Sequence, residues 1–213
     1  MTTPVNSAYN ADAVFQPGHG AVYYAPVGTE APTNEDLNQW ATGDRTANIG
    51  EWTPLGYTSV DTLPGLNSET EGGEKMGVWE NDSFRMSSIT TTESVSVSPV
   101  QWSEIPIKHR FGAGATIDTA TGVAHVPSVY VAAEVAILVI ILDGDRHLGL
   151  EYPRTSSAPD DNLELDAEQF SALPVRYNVL QAPGNPDKFR IIAEHLRSGG
   201  EPAPVEPEDP VEP

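Results

Sequence analysis

The sequence predicts a mainly β domain with one packed helix, and three observations lead there. Runs of strand length, rich in Val, Ile, Thr and Tyr, recur between Gly-, Pro- and Asp-rich punctuation. Residues 135–142 form one continuous apolar stretch of eight, the pattern of a strand buried on both faces. Helix signals are confined to three short stretches.

In chain order, residues 21–25 are a short Tyr-rich strand between Gly20 and Pro26. Residues 34–40 suit a single helical turn. The segment from Glu69 to Glu74 reads as a mobile loop, with two glycines freeing the backbone and three carboxylates repelling one another. Strands are expected at 76–80 and 83–89. Residues 91–97 alternate, which sets Val95 and Val97 on one face and Thr92, Ser94 and Ser96 on the other. Ser98, Pro99 and Gln101 supply a capping hydroxyl, a first-position proline and a capping-box partner. They predict a helix towards Phe111, stopped by Gly112 and kinked or shortened by Pro106. Further strands are expected at 121–126, 135–142, 147–152, 173–181 and 189–195. Asp143-Gly144-Asp145 is a hairpin turn between two of them, and 166–170 is a further helical turn. No repeat of solenoid or propeller period is present.

The charge is lopsided: 31 acids face 11 bases among 213 residues, a formal charge of −20. Residues 199–213 hold five acids and five prolines and read as a disordered Pro/Glu-rich tail. The rest, 1–198, is long enough for a single domain with its own core, preceded by an N-terminal arm of about residues 1–12. It retains 26 acids against 11 bases, a charge of −15, so the acidity belongs mainly to the folded part. From Glu30 to Glu104 there are 13 acids beside only Arg45, Lys75 and Arg85. Such a surface lacks the clustered cations that nucleic-acid binding and docking on anionic membranes require. The absence of cysteine excludes disulfides, thiolate metal sites and a cysteine nucleophile. The first ten residues lack a basic start followed by an apolar stretch, so no secretory signal is expected, and the sequon at Asn81 is read as chance. An apolar run of eight is far short of the ~20 that a membrane helix needs.

Catalytic chemistry finds no support. The five histidines, at 19, 109, 125, 147 and 195, have no paired metal-ligand spacing. The acids around Gly144 beside His147 are explained by a hairpin without a metal. Gly112-Ala113-Gly114 lacks the strand, third glycine and Lys-Ser/Thr of a phosphate loop. The carboxylate pairs Asp160/Asp161 and Glu164/Asp166 lie in a Ser/Pro/Asp-rich stretch suited to solvation. No catalytic, cofactor-binding or metal-ligating residue is assigned, and no cofactor is expected.

The order of several segments nevertheless resembles a known family. The entry 11–33, with Gly18-His19-Gly20-Ala21-Val22-Tyr23-Tyr24-Ala25-Pro26, is similar to the start of the major tail tube proteins of long-tailed, non-contractile (siphovirus) phages of actinobacteria. Trp52-Thr53-Pro54-Leu55-Gly56-Tyr57-Thr58-Ser59 resembles that family's next stretch, and 129–143, 148–153 and 173–180 resemble its second half. The similarity covers about residues 11–196, and its specificity rests on order and spacing.

The resemblance implies a two-sheet β-sandwich or barrel with a flanking helix, assembled as stacked homohexameric rings into a hollow tail tube. The implied partners are other copies of the chain, a tape measure protein, a tail terminator and baseplate or tip proteins. DNA passes through the lumen without specific binding, no membrane is involved, and the place of work is the virion tail after synthesis in the cytoplasm of the infected bacterium. Within that frame Glu69, Glu71, Glu74 and Glu80 are candidates for an inter-subunit loop. Thr92, Ser94 and Ser96 are candidates for the lumen-facing side of a strand, against the alternative of an ordinary solvent-facing sheet. Two other readings compete: a β-sandwich binding, adhesion or virion-decoration module, and, more remotely, a carboxylate-based hydrolase.

Overall fold

A computed structural model describes residues 13–197. The N-terminal arm and the Pro/Glu tail expected from the sequence lie outside the described residues. The chain is mainly β, as predicted. Its centre is β9 (Glu134–Asp143), flanked by β1 (His19–Ala25) and β10 (Arg146–Pro159). The short β2 (Thr53–Pro54) extends this leaf beyond β1, and β12 (Arg190–Ala193) pairs with the first half of β10. The second half of β10 pairs instead with β11 (Val175–Val179), followed by β6 (Thr90–Val97) and β3 (Gly65–Glu71).

The change of partner within β10 folds one hydrogen-bonded sheet into two packed leaves. The register on β9 slips between Tyr152 and Thr155, at Pro153, which has no N–H to give the ladder. The leaves then meet face to face. Val22, Ile137, Val139, Leu150 and Tyr152 of the first pack with Val95, Val97, Val175 and Tyr177 of the second in one buried cluster. The predicted strand 147–152 therefore runs on to Pro159 because its far half has a second leaf to join.

The other face of the first leaf is also covered. Ala136, Leu138, Ile140 and Leu142 alternate away from the second leaf and pack under α1 (Asn34–Thr42) with Leu37, Trp40 and Trp52. This two-sided burial is the reason that 135–142 is apolar at every position. Where a single helical turn was expected, α1 has nine residues, started by a full capping box. Asp36 N donates to Thr33 Oγ1 at 3.2 Å, and Asp36 Oδ2 accepts from Thr33 N at 2.8 Å. Gly149 on β10 makes room for it, since a Cβ there would stand 2.8 Å from Leu37 Cδ1. Trp40 Nε1 donates to Tyr23 Oη at 2.6 Å, and that hydroxyl donates to Ala47 O at 2.9 Å, so the buried aromatic polar atoms are satisfied.

The second helix, α2 (Glu104–Phe111), starts six residues later than its proposed cap at Ser98. Residues 98–101 are taken by extended pairing: Ser98 O accepts from Ser59 N, Val100 N donates to Tyr57 O, and Pro99 O accepts from Leu173 N. Tertiary ladder bonds outcompete the local capping box, and Ser103 becomes the N-cap without a side-chain bond. Pro106 then falls in the first turn, where no intrahelical N–H is lost, so it needs no kink. Gly112 ends the helix as predicted. Residues 166–170 form bends rather than a helical turn, and among the described residues two α-helices flank the sheets instead of one. Residues 116–125 form a small hairpin of β7 (Thr116–Asp118) and β8 (Val123–His125). Asp143 and Arg146 close the tight hairpin predicted around Gly144, whose φ of +62° suits glycine.

Candidate assembly interface

The first half of the segment predicted as a mobile acidic loop, residues 69–71, is the end of a strand, and only residues 72–74 are irregular. Gly65–Glu71 pairs with Thr90–Val97 over seven residues, from Gly65 opposite Ser96 to Glu71 opposite Thr90. Its composition, Gly-Leu-Asn-Ser-Glu-Thr-Glu, is poor in strand formers, and the ladder to its partner supplies the order instead. The same register continues past Gly72 and Gly73: Ser87 N donates to Glu74 O at 2.9 Å, and Lys75 and Met76 lie opposite Met86 and Arg85. The distal strands are β4 (Lys75–Val78) and β5 (Asn81–Met86), joined by Trp79 and Glu80 at the tip. The result is one long two-stranded arm. Gly72 is obligatory in it, because its φ is +88° and a Cβ would fall 2.0 Å from Ser88 O.

The arm is exposed along its whole distal length. Trp79 is 99% exposed, and Met76, Val78, Phe84, Met86 and Ile89 all stand largely in solvent. They occupy both faces of the ribbon, since Met76 lies opposite Arg85 on one and Met86 opposite Lys75 on the other. An isolated ribbon of two strands is at best marginally stable in water, and this one presents its apolar groups outward. The ion pairs found among the described residues, such as Arg154–Glu134 at 2.9 Å and Arg190–Glu151 at 2.8 Å, all lie elsewhere.

Thr92, Ser94 and Ser96 lie together on the outer face of the second leaf. Ser94 and Ser96 are half-buried and Thr92 exposed, while Val95 and Val97 point into the core. Arg176 and Asn178 of β11 stand opposite Ser96 and Ser94 on one side, and Gly65, Asn67 and Glu69 of β3 flank the row on the other. Asn67 Nδ2 donates to Ser96 Oγ at 3.2 Å, and Arg176 is paired with Asp160. No helix among the described residues covers this face: α1 packs on the first leaf, and α2 packs against β10, β11 and β7. The two predicted sets are thereby partly merged, because Glu69 is the cross-strand neighbour of Thr92 on one polar surface. Glu74 and Glu80 sit further out, at the glycine bend and the tip. The apolar groups of the arm were missed by sequence reasoning. Their signal was present as Met76, Val78, Trp79, Phe84 and Met86, but alternation alone does not reveal that no partner lies on either face.

The titratable groups with displaced pKa values are structural. His109 is buried on α2 with Nδ1 2.8 Å from Tyr177 Oη, and burial brings its pKa down to about 4. Burial likewise pushes the Tyr177 hydroxyl up, and pushes Tyr152 up to about 12 with a smaller contribution from Glu93. Arg110 donates to the backbone carbonyls of Pro174 and Asp161, both at 2.7 Å, and so ties α2 to the loop before β11. The acids around Gly144 form an ordinary hairpin closed by an Arg146–Asp143 pair at 2.6 Å.

Comparison with known proteins gives this geometry a family. The major tail protein Gp23 of Mycobacterium phage D29 is 34% identical over 178 residues, which is 81% of this chain and 87% of that protein. The major tail protein Gp23 of Mycobacterium phage L5 is 34% identical over 181 residues, with the same shares. A family described as phage tail tube protein matches residues 7–205, further at both ends than the resemblance over 11–196. With nearly the whole chain matched, this protein belongs to the phage tail tube protein family and has a structural role in the virion tail.

Proposed function

We propose that the chain self-assembles as stacked hexameric rings into the tail tube of a long-tailed, non-contractile phage, with the arm as its main inter-subunit element. The observation that carries the reading is the arm itself, a long ribbon with apolar side chains on both faces and no cover among the described residues. Cover from other copies satisfies it, and a heterologous contact of this kind closes into rings or propagates. Glu69, Glu71, Glu74 and Glu80 belong to this inter-subunit element, on its strands, bend and tip.

Thr92, Ser94 and Ser96, with their polar neighbours, form the lumen wall in this reading. A conduit for DNA must not hold it, and a wall of hydroxyls, amides and carboxylates with its arginine already paired has little cationic charge with which to hold phosphates. The tube encloses a tape measure protein during assembly, meets a terminator at one end and a baseplate or tip at the other, and later conducts the genome. No catalytic step, cofactor or membrane enters this role, and the chain is made in the cytoplasm of the infected bacterium.

The test is negative-stain microscopy of concentrated protein, run beside a variant in which residues 72–89 are replaced by Asn-Gly. Glu71 and Thr90 face each other across the ladder, so a two-residue turn joins them without disturbing the leaf. Rings or tubes from the parent, and a folded monomer from the short-armed variant, are expected. Persistent monomer from the parent in several buffers would favour a decoration or adhesion module, and normal tubes from the variant would remove the arm from the interface.

A further inference from the structure

Among the described residues nothing covers the arm, and nothing fills an apolar cleft in the same molecule. The cleft opens at the end of the sandwich between β1, β9 and the segment 58–66, with a volume of about 300 Å³. Val22, Val139 and Leu150 form its floor, and Val60, Leu63 and Leu66 its rim. All three rim side chains are largely exposed. Its size is about twice the ~150 Å³ that admits a benzene ring, so an indole fits with room for a second side chain.

We propose that Trp79 at the arm tip of one copy seats in this cleft on the next copy. The inference rests on the self-assembly reading above and specifies its contact. Trp79 does not fill the cleft of its own molecule, since it is 99% exposed and is separated from Leu66 on the rim by an arm of constant register from Gly65 to Met76, at most roughly 40 Å of chain. The donor and the receptor are therefore on different copies, and because they are different surfaces the contact is heterologous and repeats from copy to copy.

The area suffices. Six exposed apolar side chains of the arm, at about 100–200 Å² each, sum to on the order of 800 Å², what one partner contributes to a stable interface. The described lining of the cleft contains no carboxylate to repel Glu80, which stands next to Trp79 at the tip.

The chain has no cysteine, so paired cysteines can be introduced into a clean background. Glu80→Cys with Val60→Cys, oxidised in assembled material, is expected to give a ladder of covalent multimers on a non-reducing gel, while Glu80→Cys with Val27→Cys gives monomer. Independently, in a Trp102→Phe background assembly should shift the tryptophan emission to the blue, and Trp79→Phe should remove most of that shift, because Trp40 and Trp52 are already buried in the monomer whereas Trp102 is 46% exposed. Trp79→Ala leaves the monomer's stability unchanged and raises the protein concentration needed for tubes at least tenfold. Tubes that form from Trp79→Ala at the parental concentration, or that give no Glu80–Val60 ladder, overturn the contact while leaving the tube reading intact. Cross-linking of Val60→Cys to a cysteine placed within residues 1–12 instead of the arm tip overturns it equally, in favour of the N-terminal segment as occupant. A parent protein that never assembles is a failure of the tube reading itself.

Discussion

The leaf built on β9 and the leaf that carries the arm contain strands of similar length, yet their side chains follow opposite rules. Along β9 every residue from Ala136 to Val139 is buried, half under α1 and half against the second leaf. Along β6 burial stops at Val95, and on β3, β4, β5 and the tip that joins the last two almost everything is exposed, with Trp79 of the tip at 99%. The first leaf is covered on both faces within one molecule, save where the cleft opens beside β1 and β9. The arm is apolar without being buried, and an apolar surface of that extent is informative where a scattered exposed leucine is not. One half of the molecule is thus a largely buried scaffold, while the other presents apolar surfaces to solvent.

The sharpest way to break that contrast is to make the same kind of cut on both sides. Leu138 is fully buried under α1, and Leu138→Ala should cost the monomer about 2–5 kcal/mol through lost transfer energy and the cavity left behind. Met76→Ala on the arm removes a side chain of similar size and should change the monomer by less than about 0.5 kcal/mol. Urea denaturation of both variants at a concentration below assembly reads the difference. If Met76→Ala costs as much as Leu138→Ala, the arm has cover within its own molecule and the contrast fails.

The same contrast explains what could be read in the sequence. Residues 135–142 announced a strand buried twice because its cover is local to the chain, and the Asp143–Asp145 turn was legible because tight hairpins have demanding chemistry. The alternation that put Thr92, Ser94 and Ser96 on one face was legible for a related reason: the opposite face meets the core through Val95 and Val97. The strand Gly65–Glu71 was not legible, since its order comes from pairing with β6 and its own residues are weak strand formers. The helix start at Ser98 failed for a tertiary reason, the bonds to Ser59, Tyr57 and Leu173 that hold 98–100 extended. The arm's role was only half visible. Its carboxylates suggested an excursion, whereas the apolar groups that carry the assembly argument look, in one dimension, like those of any strand.

A second, somewhat smaller effect tests how closed the scaffold half is. His109 lies between Tyr24 and Tyr177, ring against ring in edge-on contacts, with its pKa lowered to about 4 by burial. A histidine whose folded pKa is depressed favours the folded state while both states are neutral, above the unfolded value near 6.5. As pH falls the unfolded chain takes the proton first, so this contribution is lost progressively between about 6.5 and about 4. The full shift corresponds to about 3 kcal/mol. Chemical denaturation of the monomer across that window should show the decline, and His109→Gln should flatten part of it. An unchanged slope in the variant would mean that water and protons already reach His109, and that the helix end of the scaffold is open.

The smallest effect on stability should come from the outer face of the second leaf, and there the functional effect is expected to be large. Thr92 is exposed beside Glu69, so Thr92→Lys puts a cation next to an acid on a solvated strand and should move monomer stability by no more than about 0.5 kcal/mol. In a tube whose lumen is lined by this face, every ring would gain six ammonium groups within reach of the passing phosphates. Screening confines their action to roughly 8 Å at physiological salt, so they matter only if the residue faces the DNA path. Phage carrying Thr92→Lys should then build normal tails and eject DNA more slowly in vitro, with the deficit shrinking as salt is raised, the signature of phosphate contacts. A lysine at Val27, exposed on the loop after β1, supplies the comparison. Equal ejection rates for the two variants at low salt would put the second leaf on the outside of the tube; a slow, salt-sensitive Thr92→Lys beside a normal Val27→Lys would put it on the inside, because charge in a screened medium acts only where the DNA passes close by.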